Sequence, residues 1–286
     1  MVSSLMEQLW ILIPISIIQR SITIRSIVQS INFKFSPNSK FLCVPCAEQS
    51  EIMIFAIVQF LKIKPYLRSK SVMYYVDSEI LNSIHFGVPQ CRERVFFIGI
   101  KKGTISKKNL LVNNSSKWFK WPKNKKYKNA ITKFDWPTLS KFGENLKKPK
   151  DIPLKLCVES CLVPDDKLDS VPNSNEFFLF RVDKNKLRSI KEGETNRPSF
   201  KRLHRFRYSP TACYGNNEVH MHPYKNRRLS VREALRIQGV PDTYVLPETE
   251  SLSKKFKMIG NGVPVPLAKA VANALRNFMI NKKITT

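Results

Sequence analysis

The sequence predicts an α/β protein in which a small sheet and its helices are interrupted by a long irregular segment. Residues 72–81 and 94–101 have the β-branched and aromatic content of strands. Helical patterns with capping signals occur from residue 227 onward. Between these parts, residues 105–226 are basic and rich in proline and lack a long helical pattern, which is typical of a second, inserted domain.

Composition indicates a polyanionic partner. The 286 residues allow one or two domains, and 49 Lys and Arg against 22 Asp and Glu give a formal charge of +27. Nucleic acid is the first candidate for such a chain. Residues 101–150 hold fifteen Lys and no Arg against Asp135 and Glu144. A solvated basic loop would explain that run equally well.

The first forty residues differ from the rest. Residues 1–40 contain nine Ile, eight Ser and one acidic residue, with no stable period. They are either an extension peculiar to this protein or a translated stretch that no longer encodes an ancestral segment. The apolar run 9–18 is too short to span about 30 Å of hydrocarbon, and it lacks the flanks of a signal peptide. We therefore expect a cytoplasmic protein with no membrane contact.

Regular patterns begin at residue 51. Residues 52–63 are apolar on most faces and end before Pro65, which predicts a buried helix. The two predicted strands follow, joined by a polar loop that runs from residue 82 to residue 93. This loop contains charged residues directly beside a buried strand, where an unpaired charge is strongly destabilising.

The C-terminal part predicts two well-marked helices. Ser230 and Glu233 form a capping box, and Gly239 with Pro241 ends the first helix. From residue 251 we predict a short basic helix, a Gly-Asn-Gly turn and a closing helix. The apolar face of the closing helix is Leu267, Ala270, Val271, Ala274 and Leu275.

The six cysteines do not predict a metal site. Cys43 and Cys46 are separated by two residues, and Cys157 and Cys161 by three, but neither pair has the flanking sequence of a zinc site. The four histidines lie elsewhere in the sequence. We expect reduced, free thiols.

Three blocks in order resemble the DNA (cytosine-5) methyltransferases. Residues 87–100 carry Gly-Val-Pro-Gln-x-Arg-x-Arg, similar to the eighth conserved motif of that family. Residues 228–241 and 259–275 resemble its ninth and tenth motifs. The variable segment lies where the family keeps its target-recognition domain. The resemblance thus covers the C-terminal portion of the family, over about residues 52–280.

The resemblance implies a partial S-adenosylmethionine-dependent methyltransferase sheet, which is Rossmann-like, with an irregular inserted target-recognition domain. Residues 1–50 would be an atypical segment without family motifs, and residues 105–226 the DNA-binding target-recognition domain. The remainder of the catalytic domain would be residues 51–104 and 227–286. The strands at 72–81 and 94–101 would be the last two of the sheet, the second running antiparallel.

The resemblance also implies roles for the polar loop. In the family a flipped cytosine is attacked at C6 by a Cys thiolate, a Glu protonates N3, and S-adenosylmethionine methylates C5. Arg94 would lie near the base O2 and the catalytic carboxylate, where a fixed guanidinium stabilises developing negative charge. Arg92 and Gln90 would hold the site and the nearby DNA backbone. A structural ion pair of either arginine with Glu93 or another nearby carboxylate is the alternative.

Further site residues follow from the same comparison. Asn261 resembles the residue that approaches the methionine part of S-adenosylmethionine, and Gly262 would let the backbone come close to it. Arg205 and Arg207 are candidate contacts to DNA phosphates.

The sequence departs from the family in its first half. The first glycine is Gly87, so the Phe-x-Gly-x-Gly cofactor loop does not occur upstream, and Glu-Asn-Val occurs nowhere. Cys46 follows Pro45, but Ala47 stands where the family's nucleophile loop has Gln. Cys46 is therefore a weak candidate nucleophile, and an incidental thiol explains it better.

These observations predict the C-terminal part or second subunit of a DNA cytosine-5 methyltransferase of a restriction-modification system. Its partners would be double-stranded DNA and a complementary methyltransferase subunit that carries the N-terminal motifs. The alternative is a catalytically inactive DNA-binding fragment of an interrupted methyltransferase gene.

Overall fold

The computed structural model describes residues 41–44, 52–57, 74–103, 105, 117–180, 182, 184–212, 214 and 219–282. These residues divide into two compact units. One unit contains the described residues up to Leu81, those of Glu93–Pro122, and those from Ala268 onward. The other contains Asn82–Arg92 and the described residues of Lys123–Leu267. The predicted features in residues 1–40, and Cys46 with them, lie outside the described residues.

A four-stranded sheet forms the first unit, in the order β1-β2-β4-β3. Strand β2 pairs antiparallel with both β1 and β4, and Ile54 lies opposite Ile98 of β4. Phe96, Phe97 and Ile98 of β4 are buried, as expected for a strand with neighbours on both sides. The strands are β1 Phe41–Val44, β2 Ile52–Ile57, β3 Tyr74–Asn82 and β4 Glu93–Lys101.

The structure confirms an α/β protein and both predicted strands, which are β3 and β4. The prediction of a helix over residues 52–63 is wrong for residues 52–57, which form β2; residues 58–63 lie outside the described part. A short apolar run has no period that separates a buried helix from a buried strand. Pairing with β1 and β4 decides it here, because the ladder satisfies the backbone groups of β2 on both edges.

Asp77 of β3 holds the start of the segment that follows residue 116. Its carboxylate accepts hydrogen bonds from the backbone N–H groups of Trp118 and Phe119 at 2.9 and 2.8 Å. The Trp118 ring then packs on Phe278, with ring centroids 5.4 Å apart. Phe278 belongs to the closing helix. The buried Asp77 carboxylate therefore positions Trp118 for its contact with that helix.

Irregular backbone makes up most of the second unit, as the sequence predicted for residues 105–226. In the described part of that segment the longest helix has five residues. One buried cluster in this unit consists of Ile84, Tyr127, Ala130, Trp136, Ile152, Leu156, Cys157 and Phe206. The α-helices among the described residues are α1 Ala130–Lys133, α2 Lys184–Arg188, α3 Val231–Ile237, α4 Leu252–Asn261 and α5 Val265–Asn281.

Helix α3 begins with the predicted capping box, and its glutamate has a second task. The Ser230 side chain accepts from the N–H of Glu233, and the Glu233 carboxylate accepts from the N–H of Ser230. The same buried carboxylate accepts two bonds of 2.7 Å from the Arg227 guanidinium and one from the N–H of Val163. Glu233 therefore joins the helix to two neighbouring loops, which a capping pattern alone does not reveal.

Buried arginines serve the irregular backbone in the same way. The Arg202 guanidinium donates to the carbonyl oxygens of Ile190, Leu187 and His222 at 2.8–3.0 Å. Arg232 is fully buried and donates to the carbonyl oxygens of Pro172 and Tyr244. Loop carbonyls have no ladder or helix partners, and a buried carbonyl without a donor is destabilising. The guanidinium groups supply those donors.

We predict that Glu233→Gln lowers the free energy of unfolding by about 3 kcal/mol, because it leaves the Arg227 charge without its carboxylate. Urea unfolding of the 286-residue chain measures this change. The control is Glu248→Gln, an exposed position, for which we expect a change of less than about 0.5 kcal/mol. Equal effects of the two substitutions would contradict the structural role of Glu233.

His220 gives the second unit an acid-sensitive core. Its ring is buried and packs edge-to-face on Tyr214, with ring centroids 5.6 Å apart. Burial lowers the pKa of His220 to about 4, and the nearby cations Lys201 and Arg228 lower it further. Because the unfolded chain binds this proton near pH 6.5, stability is retained above that pH and is lost as the pH falls toward 4.

We predict that His220→Phe reduces the loss of unfolding free energy between pH 7 and pH 4 by roughly 3 kcal/mol. Phenylalanine keeps the ring packing on Tyr214 and removes the titrating group. Urea unfolding at a series of pH values measures the difference. An unchanged pH dependence would mean that protonation of His220 does not drive acid unfolding.

Candidate functional site

The polar loop between β3 and β4 is held by its own first residues. Asn82 Oδ1 accepts from the N–H groups of Ile84 and Arg92, and Ser83 Oγ donates to the carbonyl oxygen of Gln90 at 2.7 Å. Gly87 has φ +81°, and a Cβ there would lie 2.8 Å from the ring of Tyr127. The Gly-Val-Pro turn therefore needs glycine for both its backbone conformation and its packing.

The end of the irregular segment pairs with this loop. The N–H of Cys91 donates to the carbonyl oxygen of Ser209, and the N–H of Ser209 donates to that of Pro89, both at 2.9 Å. Thr211 Oγ1 donates to the carbonyl oxygen of Cys91 at 2.9 Å. Residues 89–91 and 209–211 thus form a short parallel pair, although more than a hundred residues separate them in the sequence.

Arg92 joins this pair to the turn that follows α4. Its side chain is fully buried, and Nη1 donates to the carbonyl oxygen of Ala212 at 2.9 Å. Nη2 donates to the carbonyl oxygens of Gly260 and Gly262 at 2.6 and 2.9 Å. One guanidinium therefore connects three of the segments in which the sequence predicted site residues or DNA contacts.

Gln90 and Arg94 flank Arg92 and are both buried. Gln90 has no exposed surface, and neither its side-chain Nε2 nor its Oε1 has a hydrogen-bond partner in the part of the chain that the structure describes. Buried side-chain amides in folded proteins usually have hydrogen-bond partners, so Gln90 stands out in this loop. Arg94 Nη1 donates to the carbonyl oxygen of Glu93 at 2.7 Å.

The predicted Gly-Asn-Gly turn is shifted. Gly260 and Asn261 are the last residues of α4, and Gly262 is its C-cap. A Cβ at Gly260 would lie 3.1 Å from the backbone nitrogen of Tyr214, so this glycine makes room for the chain itself. The Asn261 side chain is partly exposed and forms no hydrogen bond with the described residues. A Cβ at Gly262 would lie 3.2 Å from Gln238 Oε1. The roles of Asn261 and Gly262 at S-adenosylmethionine stay predictions.

The two arginines predicted to contact phosphate differ in their surroundings. Arg205 donates through Nε and Nη2 to the two carboxylate oxygens of the fully buried Glu192, at 2.9 and 2.7 Å, and lies 4.2 Å from the Tyr224 ring centroid. Arg207 donates to the carbonyl oxygen of Pro137 and lines a cavity beside Cys91. Nothing in the sequence around Glu192 had identified it as the partner of Arg205.

Neither Cys157 nor Cys161 is placed as an activated nucleophile. Cys157 and Cys161 are buried, and burial raises the pKa of both thiols to about 12, so they stay protonated at neutral pH. Cys91 lies in the polar loop and accepts a hydrogen bond from Asn82 Nδ2 at 3.3 Å. Cys46, the weak candidate, is outside the described residues.

Comparison with known proteins places these segments in one family. Residues 59–277 match the model of the C-5 cytosine-specific DNA methylase family. The type II methyltransferase M.NmeDI of Neisseria meningitidis is 39% identical over 208 residues, which are 73% of this chain and 47% of that protein. M.FnuDI of Fusobacterium nucleatum is 29% identical over 219 residues, which are 73% and 57% of the two chains. The chain spans about half the length of these relatives.

Among solved structures, the Dnmt2 methyltransferase of S. pombe is similar with a TM-score of 0.46 and 13% sequence identity. That similarity covers 81% of this chain and 67% of the other. No helix among the described residues is long and apolar enough to cross a lipid bilayer.

We predict that Arg92→Lys lowers the free energy of unfolding by about 3 kcal/mol, because a single ammonium cannot reach three carbonyl oxygens on two separate segments. Urea unfolding measures the change. Arg188→Lys, at an exposed position of α2, is the matched control and should change stability by less than about 0.5 kcal/mol. A loss at Arg92 no larger than at Arg188 would show that the carbonyl contacts contribute little.

Proposed function

Since the chain belongs to the C-5 cytosine-specific DNA methylase family, we propose that it is the C-terminal part or second subunit of a DNA cytosine-5 methyltransferase. The complete enzyme transfers a methyl group to C5 of a flipped cytosine in a specific duplex site. Relatives named type II methyltransferases support a role in a restriction-modification system.

The arrangement around Arg92 is the observation that carries this proposal. Its guanidinium holds residues 90–92 of the polar loop, the segment at Ala212 and the end of α4 at Gly260–Gly262 in one hydrogen-bonded group. A base-binding loop and a cofactor edge must keep a fixed relation for methyl transfer, since small displacements greatly reduce rates. A rigid, buried donor that spans both elements meets this requirement.

Arg94 is the proposed catalytic residue of the loop. Attack of a thiolate on C6 places negative charge on the pyrimidine, and a guanidinium near O2 stabilises it without reorganising solvent. Arg94 is only 5% exposed, which keeps its charge in a water-poor surrounding where such stabilisation is strong. S-adenosylmethionine, when bound, supplies the methyl group. In this chain Asn261 and Gly262 would contact it along one edge.

The attacking thiolate and the rest of the cofactor site are proposed to come from a complementary polypeptide. The sequence contains no Pro-Cys-Gln, Glu-Asn-Val or Phe-x-Gly-x-Gly segment. The unpaired, fully buried amide of Gln90 supports this proposal, because it offers both a donor and an acceptor to a further segment of backbone.

A catalytically inactive DNA-binding module is the second candidate, and the lysines favour it. All eleven lysines between residues 117 and 150 are exposed. Within the described residues only Lys117 among them forms an ion pair, to Asp77 and Glu79. Nine of these lysines, from Lys123 onward, belong to the second unit. Exposed ammonium groups without a described carboxylate partner attract a polyanion whether or not methyl transfer takes place.

We predict that the purified chain methylates DNA only when mixed with a polypeptide carrying the three missing segments. Labelled S-adenosylmethionine, duplex DNA and nucleoside mass spectrometry would detect 5-methylcytosine. In the active mixture, Arg94→Lys should lower kcat by about 10²–10³, as removal of a fixed electrostatic donor does.

Three control results decide between the candidates. Methylation by the chain alone would contradict the need for a partner. Salt-sensitive DNA binding without methylation, in mixtures where the chain is folded and bound to the partner polypeptide, would favour the binding module. Absence of DNA binding would contradict both.

A further inference from the structure

A cavity of about 380 Å³ opens beside the loop that carries Gln90. Three of its wall residues, Cys91, Pro210 and Thr211, belong to the parallel pair formed by residues 89–91 and 209–211. Its volume lies within the range of roughly 300–1,000 Å³ that is usual for ligand sites. The wall of the cavity includes the side chains of Cys91, Thr195, His204, Arg207, Tyr208 and Thr211.

The unneutralised charge at this cavity is positive. Gly193 in the wall is flanked by two carboxylates, but Glu192 is paired with Arg205 at 2.7 Å and Glu194 is paired with Arg197. Arg207 differs from both arginines, because no described carboxylate lies within 4.0 Å of its guanidinium. One arginine charge therefore remains for a ligand.

Uncharged donors accompany Arg207. The hydroxyl groups of Thr195 and Tyr208 form no hydrogen bonds with the described residues, so both remain available. His204 is neutral: its Nδ1 accepts from the N–H of Phe206, and burial lowers its pKa. The cavity thus offers one guanidinium and two hydroxyl groups, which is a donor set for an oxyanion.

We propose that this cavity binds a phosphodiester group of the DNA strand next to the flipped nucleotide, with Arg207 as the cation and Thr195 and Tyr208 as hydroxyl donors. The inference rests on the proposed function, since it places the strand beside the Gln90–Arg94 loop. A phosphodiester carries one negative charge, which matches the single unpaired arginine. Arg205, two residues away, is then a structural residue that anchors this wall to Glu192.

Salt dependence of DNA binding tests the charge. For the full chain and a duplex oligonucleotide, we expect Arg207→Gln to weaken binding about tenfold. The slope of log affinity against log salt should become shallower by about 0.9, the value for one lost phosphate contact. Arg207→Lys should keep the slope, because it keeps the charge. Arg276→Gln, at an exposed position of α5, removes the same charge elsewhere and should leave the slope unchanged.

Isosteric substitutions test the hydroxyl groups. Thr195→Val and Tyr208→Phe should each weaken binding by about three- to tenfold. Neither should alter the salt slope, because neither changes a charge. Thermal unfolding midpoints close to that of the unsubstituted chain would show that the variants are folded. If both variants are folded and their affinity for DNA is unchanged, the roles proposed for the two hydroxyl groups are overturned.

Cys91 provides an independent reporter inside the cavity. Duplex DNA should slow the alkylation of Cys91 by iodoacetamide, whereas inorganic phosphate at equal ionic strength should not. Peptide mapping measures how much Cys91 is alkylated. Protection by inorganic phosphate together with an unchanged slope for Arg207→Gln would assign the cavity to a free anion and overturn the proposal. If the unsubstituted chain binds no DNA, the proposed function itself fails. If the unsubstituted chain binds DNA and Arg207→Gln has the same affinity and the same salt slope, only the assignment of the cavity fails.

Discussion

The buried guanidinium of Arg92 is the interaction on which the second unit depends. It donates to the carbonyl oxygens of Ala212, Gly260 and Gly262, which belong to segments far apart in the sequence. The buried guanidinium charge is stabilised because its N–H groups donate to carbonyl oxygens held in place by the fold. The carbonyl oxygens are in turn stabilised because each accepts a hydrogen bond. Removing either side would leave buried polar groups unpaired.

The same constraint explains the use of other charged residues in this unit. Regular helices and strands satisfy their own backbone, but the irregular segment between β4 and α3 does not. Arg202 and Arg232 therefore bind loop carbonyls, and Glu233 and Glu192 bind backbone N–H groups together with an arginine. Charged side chains act here as cross-links for backbone that has no ladder of its own.

This division separates structural charges from those that remain for a ligand. Arg205 and Arg207 are two residues apart and indistinguishable in type, yet Arg205 is held by a buried carboxylate and Arg207 is not. Gln90 likewise lies in the interior with an amide that the described residues do not satisfy. The functional interpretation therefore rests on groups that the fold positions and leaves available.

The sequence by itself determined the features that depend on near neighbours. The capping box of α3, strands β3 and β4, and the motif order were readable, because each arises within a few residues of chain. The tertiary structure alone decided that residues 52–57 form a strand, that Gly260 and Asn261 end a helix, and which of two neighbouring arginines is paired with a carboxylate. These outcomes depend on partners distant in the sequence, such as β4 for β2, Tyr214 for Gly260 and Glu192 for Arg205. Local propensity does not encode such partners, because a hydrogen bond or ion pair forms only where the fold brings its two groups together.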